Sequence, residues 1–135
     1  MNIRTLSEYR TPKPHERNLR VVLDPRLGNY DKATVLWVTI EPGSSTGLHQ
    51  HVSDEIIFVA AGRGLSTIVE GDKVTSTEVG EGSVVVVKAG AKHETKNIGC
   101  EVLELYCVFI PPLSTEGYFG EALKAAIEKS RSTSQ

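Results

Sequence analysis

The sequence has few cysteines, no excess of basic residues and no long apolar run, and each shortage argues against a class of protein. Its 135 residues include 15 lysines and arginines against 17 acidic residues, a net charge of −2. A general nucleic-acid-binding domain needs a basic excess to neutralise phosphates, so nucleic acid is not an expected partner. No apolar stretch approaches the roughly 20 residues of a membrane-spanning helix. The first residues lack the apolar segment of a secretory signal, so we expect a cytoplasmic protein.

The two cysteines, Cys100 and Cys107, do not form a CxxC pair. On one regular strand they would lie about 23 Å apart, at roughly 3.3 Å per residue, whereas a disulfide needs Cα atoms within roughly 7 Å. We therefore expect both thiols to be reduced. A chain of this length has room for one domain, whose core needs no disulfide or structural metal in order to fold.

Glycines divide the middle of the chain into short segments rich in β-branched and aromatic residues. Such segments, separated by turn residues about every ten positions, are typical of an all-β sandwich or barrel. A hairpin is predicted to turn at Gly71-Asp72. The predicted strands cover residues 20–23, 34–40, 55–60, 65–70, 73–78, 83–88, 93–97 and 102–110.

The two ends of the chain differ from this middle. Residues 1–19 are polar and are predicted to form an arm that is either disordered or laid as an extended strand on a neighbouring molecule. Residues 115–130 place apolar side chains on one face at a helical period, so we expect a helix that covers one sheet. The predicted organisation is an arm at 1–19, a barrel at 20–112, and a C-terminal helix and tail at 113–135.

Three of the four histidines lie in the predicted β region, and the fourth, His15, lies in the polar arm. Because residues i and i+2 of a strand point the same way, His49 and His51 share a face, and Glu55 has the same parity. These groups facing an apolar interior suit a divalent ion, since a buried carboxylate without a partner is costly. His93 adds a third imidazole from a different strand. The four leave one or two positions of an octahedral ion open.

The two histidine-containing stretches resemble the two motifs of the cupin superfamily. Every fixed position of the first motif is present: Gly43, His49, His51, Glu55 and Gly62. The second motif is present at Gly82, Gly90, His93 and Asn97. Lys88 stands where a proline is usual. That proline is a turn residue and not a ligand, so its replacement weakens the argument for the turn and leaves the argument for the metal intact.

The resemblance implies a double-stranded β-helix, which is a jelly-roll barrel, here with a short C-terminal helix. It implies His49, His51, Glu55 and His93 as the ligands of one divalent transition metal. Iron, manganese, nickel, zinc and copper all accept imidazole, so the ligand set does not select the metal. The resemblance also implies a homodimer, often built by N-terminal strands that cross to the partner.

Other polar residues near the predicted site are candidates whose position the sequence leaves open. In the last strand, one of two faces looks into the barrel. If it is the face of Glu104 and Tyr106, these residues are a candidate acid, base or substrate anchor. If it is the opposite face, Glu104 points to solvent or pairs with a lysine. Arg63 and Lys88 are candidate partners for a substrate carboxylate, or else solvated surface residues.

The metal site predicts an enzyme that acts on a small oxygenated substrate, such as a carboxylic acid or a sugar acid. Dioxygenase, isomerase, and lyase or decarboxylase chemistry all remain open, because a fold does not select among reactions. The alternative is a non-catalytic module that binds or senses a small ligand. In both cases we expect a small-molecule ligand and a second copy of the chain as partners.

Overall fold

The computed structural model describes residues 17–114 and 117–133, which form two β-sheets and one α-helix. The strands are β1 (Arg17–Leu23), β2 (Thr34–Ile40), β3 (Asp54–Ala61), β4 (Arg63–Glu70), β5 (Lys73–Gly80), β6 (Val84–Val87), β7 (Lys92–Asn97) and β8 (Leu103–Ile110). A short 3-10 helix (Pro25–Leu27) follows β1, and α1 (Gly117–Thr133) follows β8. Each predicted segment corresponds to one strand. Because β1 begins at Arg17, the last three residues of the predicted arm belong to this strand, and residues 1–16 lie outside the described residues.

The strand order is that of a jelly roll. One sheet has five strands in the order β1-β2-β8-β3-β6, and the other has three in the order β5-β4-β7. All pairings are antiparallel, and the pairing of β2 with β8 joins strands that are distant in sequence. The hairpin predicted at Gly71-Asp72 joins β4 to β5. The predicted β-barrel with one C-terminal helix is confirmed. In the described part of the chain, no helix has the length and apolar character needed to cross a membrane.

Strand alternation decides which side chains fill the space between the sheets. Along β8 every second residue is buried: Leu103, Leu105, Cys107 and Phe109. Their partners on β2 and β3 are buried as well, and all are apolar except Thr34 and Glu55, which lie opposite Phe109. Helix α1 packs against β1 and adds Phe119, Leu123 and Ala126 to the same core, as its helical period predicts.

A buried carboxylate ties the segment before α1 to the barrel. Asp24 is fully buried and accepts hydrogen bonds of 2.6 to 2.8 Å from the Arg26 backbone, the Arg26 guanidinium and the Thr34 hydroxyl. Arg26 Nη2 also donates to the Leu113 carbonyl at 2.6 Å, and the Leu113 N–H donates to Thr34 Oγ1 at 3.0 Å. The backbone of Leu113 is therefore held at both its N–H and its carbonyl group.

This carboxylate predicts an acid-sensitive contribution to stability. Burial by itself raises the pKa of Asp24, but hydrogen bonds from Arg26 and Thr34, together with the Arg26 charge, outweigh burial and hold the pKa below its ordinary value of 3.8. A pKa lowered by folding means that the contribution is present above pH 3.8 and is lost as the pH falls below it. We expect Asp24→Asn to lower the free energy of unfolding by about 2 to 3 kcal/mol at pH 7, because it removes the buried charge that pairs with Arg26. The loss is no larger than this because the Arg26 side chain is partly exposed to water.

Urea unfolding at pH 7 and pH 3 measures this contribution. The wild type and Asp24→Asn share every other titrating group. The difference between their free energies of unfolding should therefore be smaller at pH 3 than at pH 7, because the wild type loses the contribution of the Asp24 carboxylate as the pH falls. Asp31→Asn alters an exposed aspartate and is the control, with little change expected at either pH. An equally wide gap at both pH values would contradict the assignment to the Asp24 carboxylate.

Candidate metal centre

Four side chains from separate parts of the fold converge between the two sheets. His49 and His51 lie in the segment before β3, Glu55 lies in β3, and His93 lies in β7. One potential ligand atom from each of the four lies within 4.8 Å of each of the others. The set is the one that the two sequence motifs indicate, and its members come from both sheets.

Main-chain hydrogen bonds hold the two motifs together. The His49 N–H donates to the His93 carbonyl at 3.0 Å, and the His93 N–H donates to the His49 carbonyl at 2.8 Å. The Gly90 N–H donates to the His51 carbonyl at 2.7 Å. The turn before β7 closes without the usual proline, since the Ala91 N–H donates to the Lys88 carbonyl at 3.0 Å and Gly90 takes a φ of 84°.

Backbone carbonyls orient two of the imidazole rings. His49 Nδ1 lies 2.7 Å from the Gly47 carbonyl, and His93 Nδ1 lies 3.2 Å from the Ala91 carbonyl. A carbonyl oxygen only accepts hydrogen bonds, so in each ring Nδ1 carries the proton. In the neutral ring this leaves Nε2 as a free lone pair, which is the form that binds a metal ion.

Two buried atoms of the cluster indicate where a cation fits. His93 Nε2 and Glu55 Oε1 approach to 2.8 Å, yet neither has a hydrogen-bond partner of acceptable geometry. Two lone pairs that face each other in a buried site are unfavourable unless a positive charge lies between them. Ligand atoms about 2.1 Å from an ion and at right angles to each other lie about 3.0 Å apart, close to this separation. The donor set therefore fits a divalent transition metal.

Burial keeps the first two histidines neutral. It lowers the pKa of His49 from 6.5 to about 4, a shift that the bond to Gly47 opposes and the charges of His93, Arg17 and His51 reinforce. Burial also lowers the pKa of His51, although the Glu55 charge opposes it. Metal binding requires deprotonated imidazole, so both rings are in the binding form at neutral pH.

The cluster opens into a cavity of about 170 Å³. This is smaller than the roughly 300 Å³ at which pockets for drug-sized ligands begin, so a small ligand fits it. Its apolar walls are formed by Leu19, Leu36, Val38, Ile57, Leu105, Phe109, Leu113 and Phe119. Its polar lining outside the cluster is formed by Arg17, Thr46, Thr95 and Cys107.

Both cysteines are free, as predicted, with Cys100 exposed and Cys107 buried. Burial raises the pKa of the Cys107 thiol well above its ordinary value, and the charge and hydrogen bond of Glu55 raise it further. The thiol is therefore protonated at neutral pH and does not compete for the ion as a thiolate.

The structure corrects the expectation for Glu104 and Tyr106. The inward face of β8 is the one that carries Cys107, so these two residues lie half-buried on the outer side of the five-stranded sheet. There Tyr106 is paired with Trp37 and Phe58. Partial burial, and after it the Glu104 charge, raises the pKa of Tyr106. Glu104 and Tyr106 therefore do not face the cavity, as a role as acid, base or substrate anchor beside the ion would require.

Among the described residues, the basic side chain that lines the cavity is neither of the two that the sequence suggested as partners for a substrate carboxylate. Arg63 lies on the surface, where it forms a 3.6 Å ion pair with Glu78, and Lys88 is exposed. Arg17 lines the cavity instead. Its signal in the sequence is the alternation of positions 17, 19 and 21, which share one face of a strand that begins earlier than predicted.

Comparison with known proteins agrees with this geometry. The family model of Cupin_2, the cupin domain, matches residues 36–109. An uncharacterized protein of Methanocaldococcus jannaschii is 31% identical over 115 residues, which cover 82% of this chain and 89% of that protein. The acireductone dioxygenase of a Sulfurihydrogenibium species is 32% identical over 78 residues, which cover 54% of this chain and 41% of that enzyme.

A solved structure shares the fold. The Lactobacillus farciminis oxalate decarboxylase, in complex with formate, superposes with a TM-score of 0.70 at 22% identity, over 76% of this chain and 31% of that chain. The cluster of His49, His51, Glu55 and His93 is typical of a cupin metal site. This chain therefore belongs to the cupin family, with a Cupin_2 domain over residues 36–109.

Proposed function

We propose that this chain is a metal-dependent enzyme that acts on a small oxygenated molecule. The observation that carries the proposal is the convergence of three imidazoles and one carboxylate on a small, mainly apolar cavity. Such a set leaves one or two positions of a six-coordinate ion open. An ion with open positions polarises a carbonyl or hydroxyl oxygen and lowers the pKa of bound water.

The protein's own groups would bind and orient the ion and its ligand. His49, His51, Glu55 and His93 would hold the ion, and the protonated Cys107 thiol lies in the same cavity lining. The apolar walls limit the access of water, which strengthens electrostatic interactions inside the cavity. Leu113 and Phe119 are among the apolar lining residues, and the hydrogen bonds around Asp24 hold the backbone of Leu113 in place.

The cavity lining restricts the chemistry that the residues themselves supply. Among the described residues that line it, Glu55 is the single carboxylate, and it belongs to the metal-binding set. These described residues offer no separate carboxylate as a general acid or base, which favours reactions in which the ion activates the substrate. Similarity to proteins named as a dioxygenase and a decarboxylase supports chemistry on a small oxygenated substrate.

The same lining also favours a second candidate, a non-catalytic module that binds or senses a small ligand. Such a module needs the ion and the apolar walls but no further acid or base. Turnover distinguishes the two functions, because both predict metal and ligand binding.

The experiment begins with elemental analysis of protein purified without added metal, in which we expect about one divalent ion per chain. Protein loaded separately with iron, manganese, nickel, zinc or copper is then offered a panel of small carboxylic and sugar acids. Oxygen uptake, carbon dioxide release and product NMR report the three reaction types. Turnover by one pair of metal and substrate supports the enzyme. Tight binding without turnover across the panel supports the binding module, and failure to bind any of the metals would contradict both. The homodimer stays a prediction, and light scattering on the same sample measures the oligomeric state.

A further inference from the structure

The inward face of β7 carries one polar side chain whose role the metal site does not explain. His93, Thr95 and Asn97 alternate along this strand and are only 1 to 4% exposed. The imidazole of His93 belongs to the metal-binding cluster, and the amide of Asn97 donates to the carbonyls of Ile40 and Glu101. Thr95 lines the cavity, and among the described residues none forms a hydrogen bond with its hydroxyl.

The other threonine of the cavity lining, Thr46, has a hydroxyl that is already engaged. Its Oγ1 accepts from the Thr95 N–H at 3.0 Å and donates to the Gly47 carbonyl at 3.1 Å. The Thr46 N–H also donates to the Thr95 carbonyl at 3.0 Å. These bonds fix the backbone of Thr95 and leave its hydroxyl available to a ligand in the cavity.

The fold does not require a hydroxyl at position 95. A buried hydroxyl without a hydrogen-bond partner costs free energy of folding. Valine has nearly the same shape as threonine and an equally high preference for strands, and it does not carry this cost. A ligand that occupies the cavity would supply the partner that the surrounding residues do not.

The position of Thr95 determines which part of a ligand it meets. Thr95 is two residues from His93 on the same face of β7, so their Cα atoms are about 6.6 Å apart. A ligand held by the ion therefore meets Thr95 through a group beyond its metal-binding atoms, and about 170 Å³ leaves room for a short carbon chain only. A hydroxyl both donates and accepts, so it pairs with a ligand hydroxyl and not with an alkyl group.

We infer that Thr95 is a specificity-determining residue that forms a hydrogen bond with a hydroxyl of a small hydroxy acid, while two other oxygens of that acid coordinate the metal ion. The inference rests on the proposed function and makes it more specific. It favours acids with several hydroxyls, of the sugar-acid type, over acids that have a plain alkyl chain.

The test compares glycerate with lactate, measured by isothermal titration calorimetry on zinc-loaded protein. Both acids have a carboxylate and a 2-hydroxyl for the ion, and glycerate alone has a hydroxyl on the third carbon. We expect the wild type to bind glycerate roughly 3- to 10-fold more tightly than lactate, as one neutral hydrogen bond predicts. Thr95→Val should abolish this preference and leave lactate binding within about twofold of the wild type.

Two further variants separate the hydroxyl from the rest of the side chain. Thr95→Ser keeps the hydroxyl and loses the methyl group, so it should retain the preference for glycerate. Thr75→Val removes an exposed threonine hydroxyl from β5 and should match the wild type. Chelator competition measures zinc affinity and urea unfolding measures stability in the same proteins. We expect Thr95→Val to bind zinc as the wild type does and to unfold at no lower urea concentration.

Loss of the preference in Thr95→Val alone, with zinc affinity and stability unchanged, would support the inference. It is overturned if zinc-loaded wild type binds glycerate no more tightly than lactate, if Thr95→Val keeps the preference, or if Thr95→Ser loses it equally. A loss accompanied by weaker zinc binding or lower stability would assign Thr95 a structural role and overturn it too. Failure of the wild type to bind zinc or any other metal would instead contradict the proposed function, and the inference would fall with it.

Discussion

Replacing His93 with alanine should reduce bound metal from about one ion per chain to a small fraction of that value while the barrel stays folded. His93 is buried, and its Nε2 lies 2.8 Å from Glu55 Oε1, so its loss removes a ligand from the centre of the cluster. Loss of an outer-shell partner alone typically weakens metal binding by about 10- to 100-fold, and loss of a ligand should cost at least about 100-fold. The backbone bridge between His49 and His93 does not involve the side chain, so β7 should keep its place.

Elemental analysis and thermal unfolding with and without a chelator measure this effect. A bound ion stabilises the folded state by mass action, so the chelator should lower the melting temperature of the wild type and leave that of His93→Ala nearly unchanged. His49→Ala should behave in the same way. His15→Ala alters the histidine outside both motifs and outside the described residues, and we expect it to retain wild-type metal content. A metal-to-protein ratio that stays at the wild-type value in both His49→Ala and His93→Ala would refute the ligand assignment.

The second large effect is expected at Gly62, the last glycine of the first cupin motif. It lies between β3 and β4, where the chain passes from the five-stranded to the three-stranded sheet, and its φ is 92°. A Cβ atom there would lie 2.8 Å from the Val102 carbonyl oxygen and 2.9 Å from Leu103 Cα. Both contacts are with backbone, which cannot rotate away. We expect Gly62→Ala to lower the free energy of unfolding by at least about 3 kcal/mol, from left-handed strain and the clash together.

Gly71 provides a matched control. It also has a positive φ, of 62°, but a Cβ atom there would meet nothing within 4 Å. Gly71→Ala should therefore show the conformational cost alone, about 1 to 2 kcal/mol. Urea unfolding of both variants, together with the yield of folded protein, isolates the contribution of the backbone contact. Equal destabilisation of the two variants would show that the close approach to β8 is not what requires glycine at position 62.

Local patterns in the sequence predicted the parts of this protein that depend on spacing along the chain. Alternation and glycine punctuation located all eight strands, and the helical period located α1, because these features depend on neighbouring residues only. The positions of His49, His51 and Glu55 predicted a shared face. His93 joined them through the resemblance to the second motif, since no local pattern indicates which distant strand supplies a ligand.

Local patterns in the sequence did not predict the orientation of β8 or the position of Arg17 in the cavity lining. Either face of the last strand is compatible with its composition, and only the packing of β8 between β2 and β3 turns Cys107 inward and Tyr106 outward. Arg17 lies in a polar stretch whose local composition favours an arm. Its pairing with Ile40 on β2 extends the strand and directs it to the cavity.

The sequence by itself determined the strands, the helix, the family and the four residues of the candidate metal centre, because motif spacing and strand parity are properties of the chain. The tertiary structure alone decided which groups surround that set: the thiol of Cys107, the guanidinium of Arg17 and the apolar walls. The physical reason is that a cavity is formed by side chains from distant strands. Its charge and volume depend on sheet pairing and on which face of each strand is turned inward.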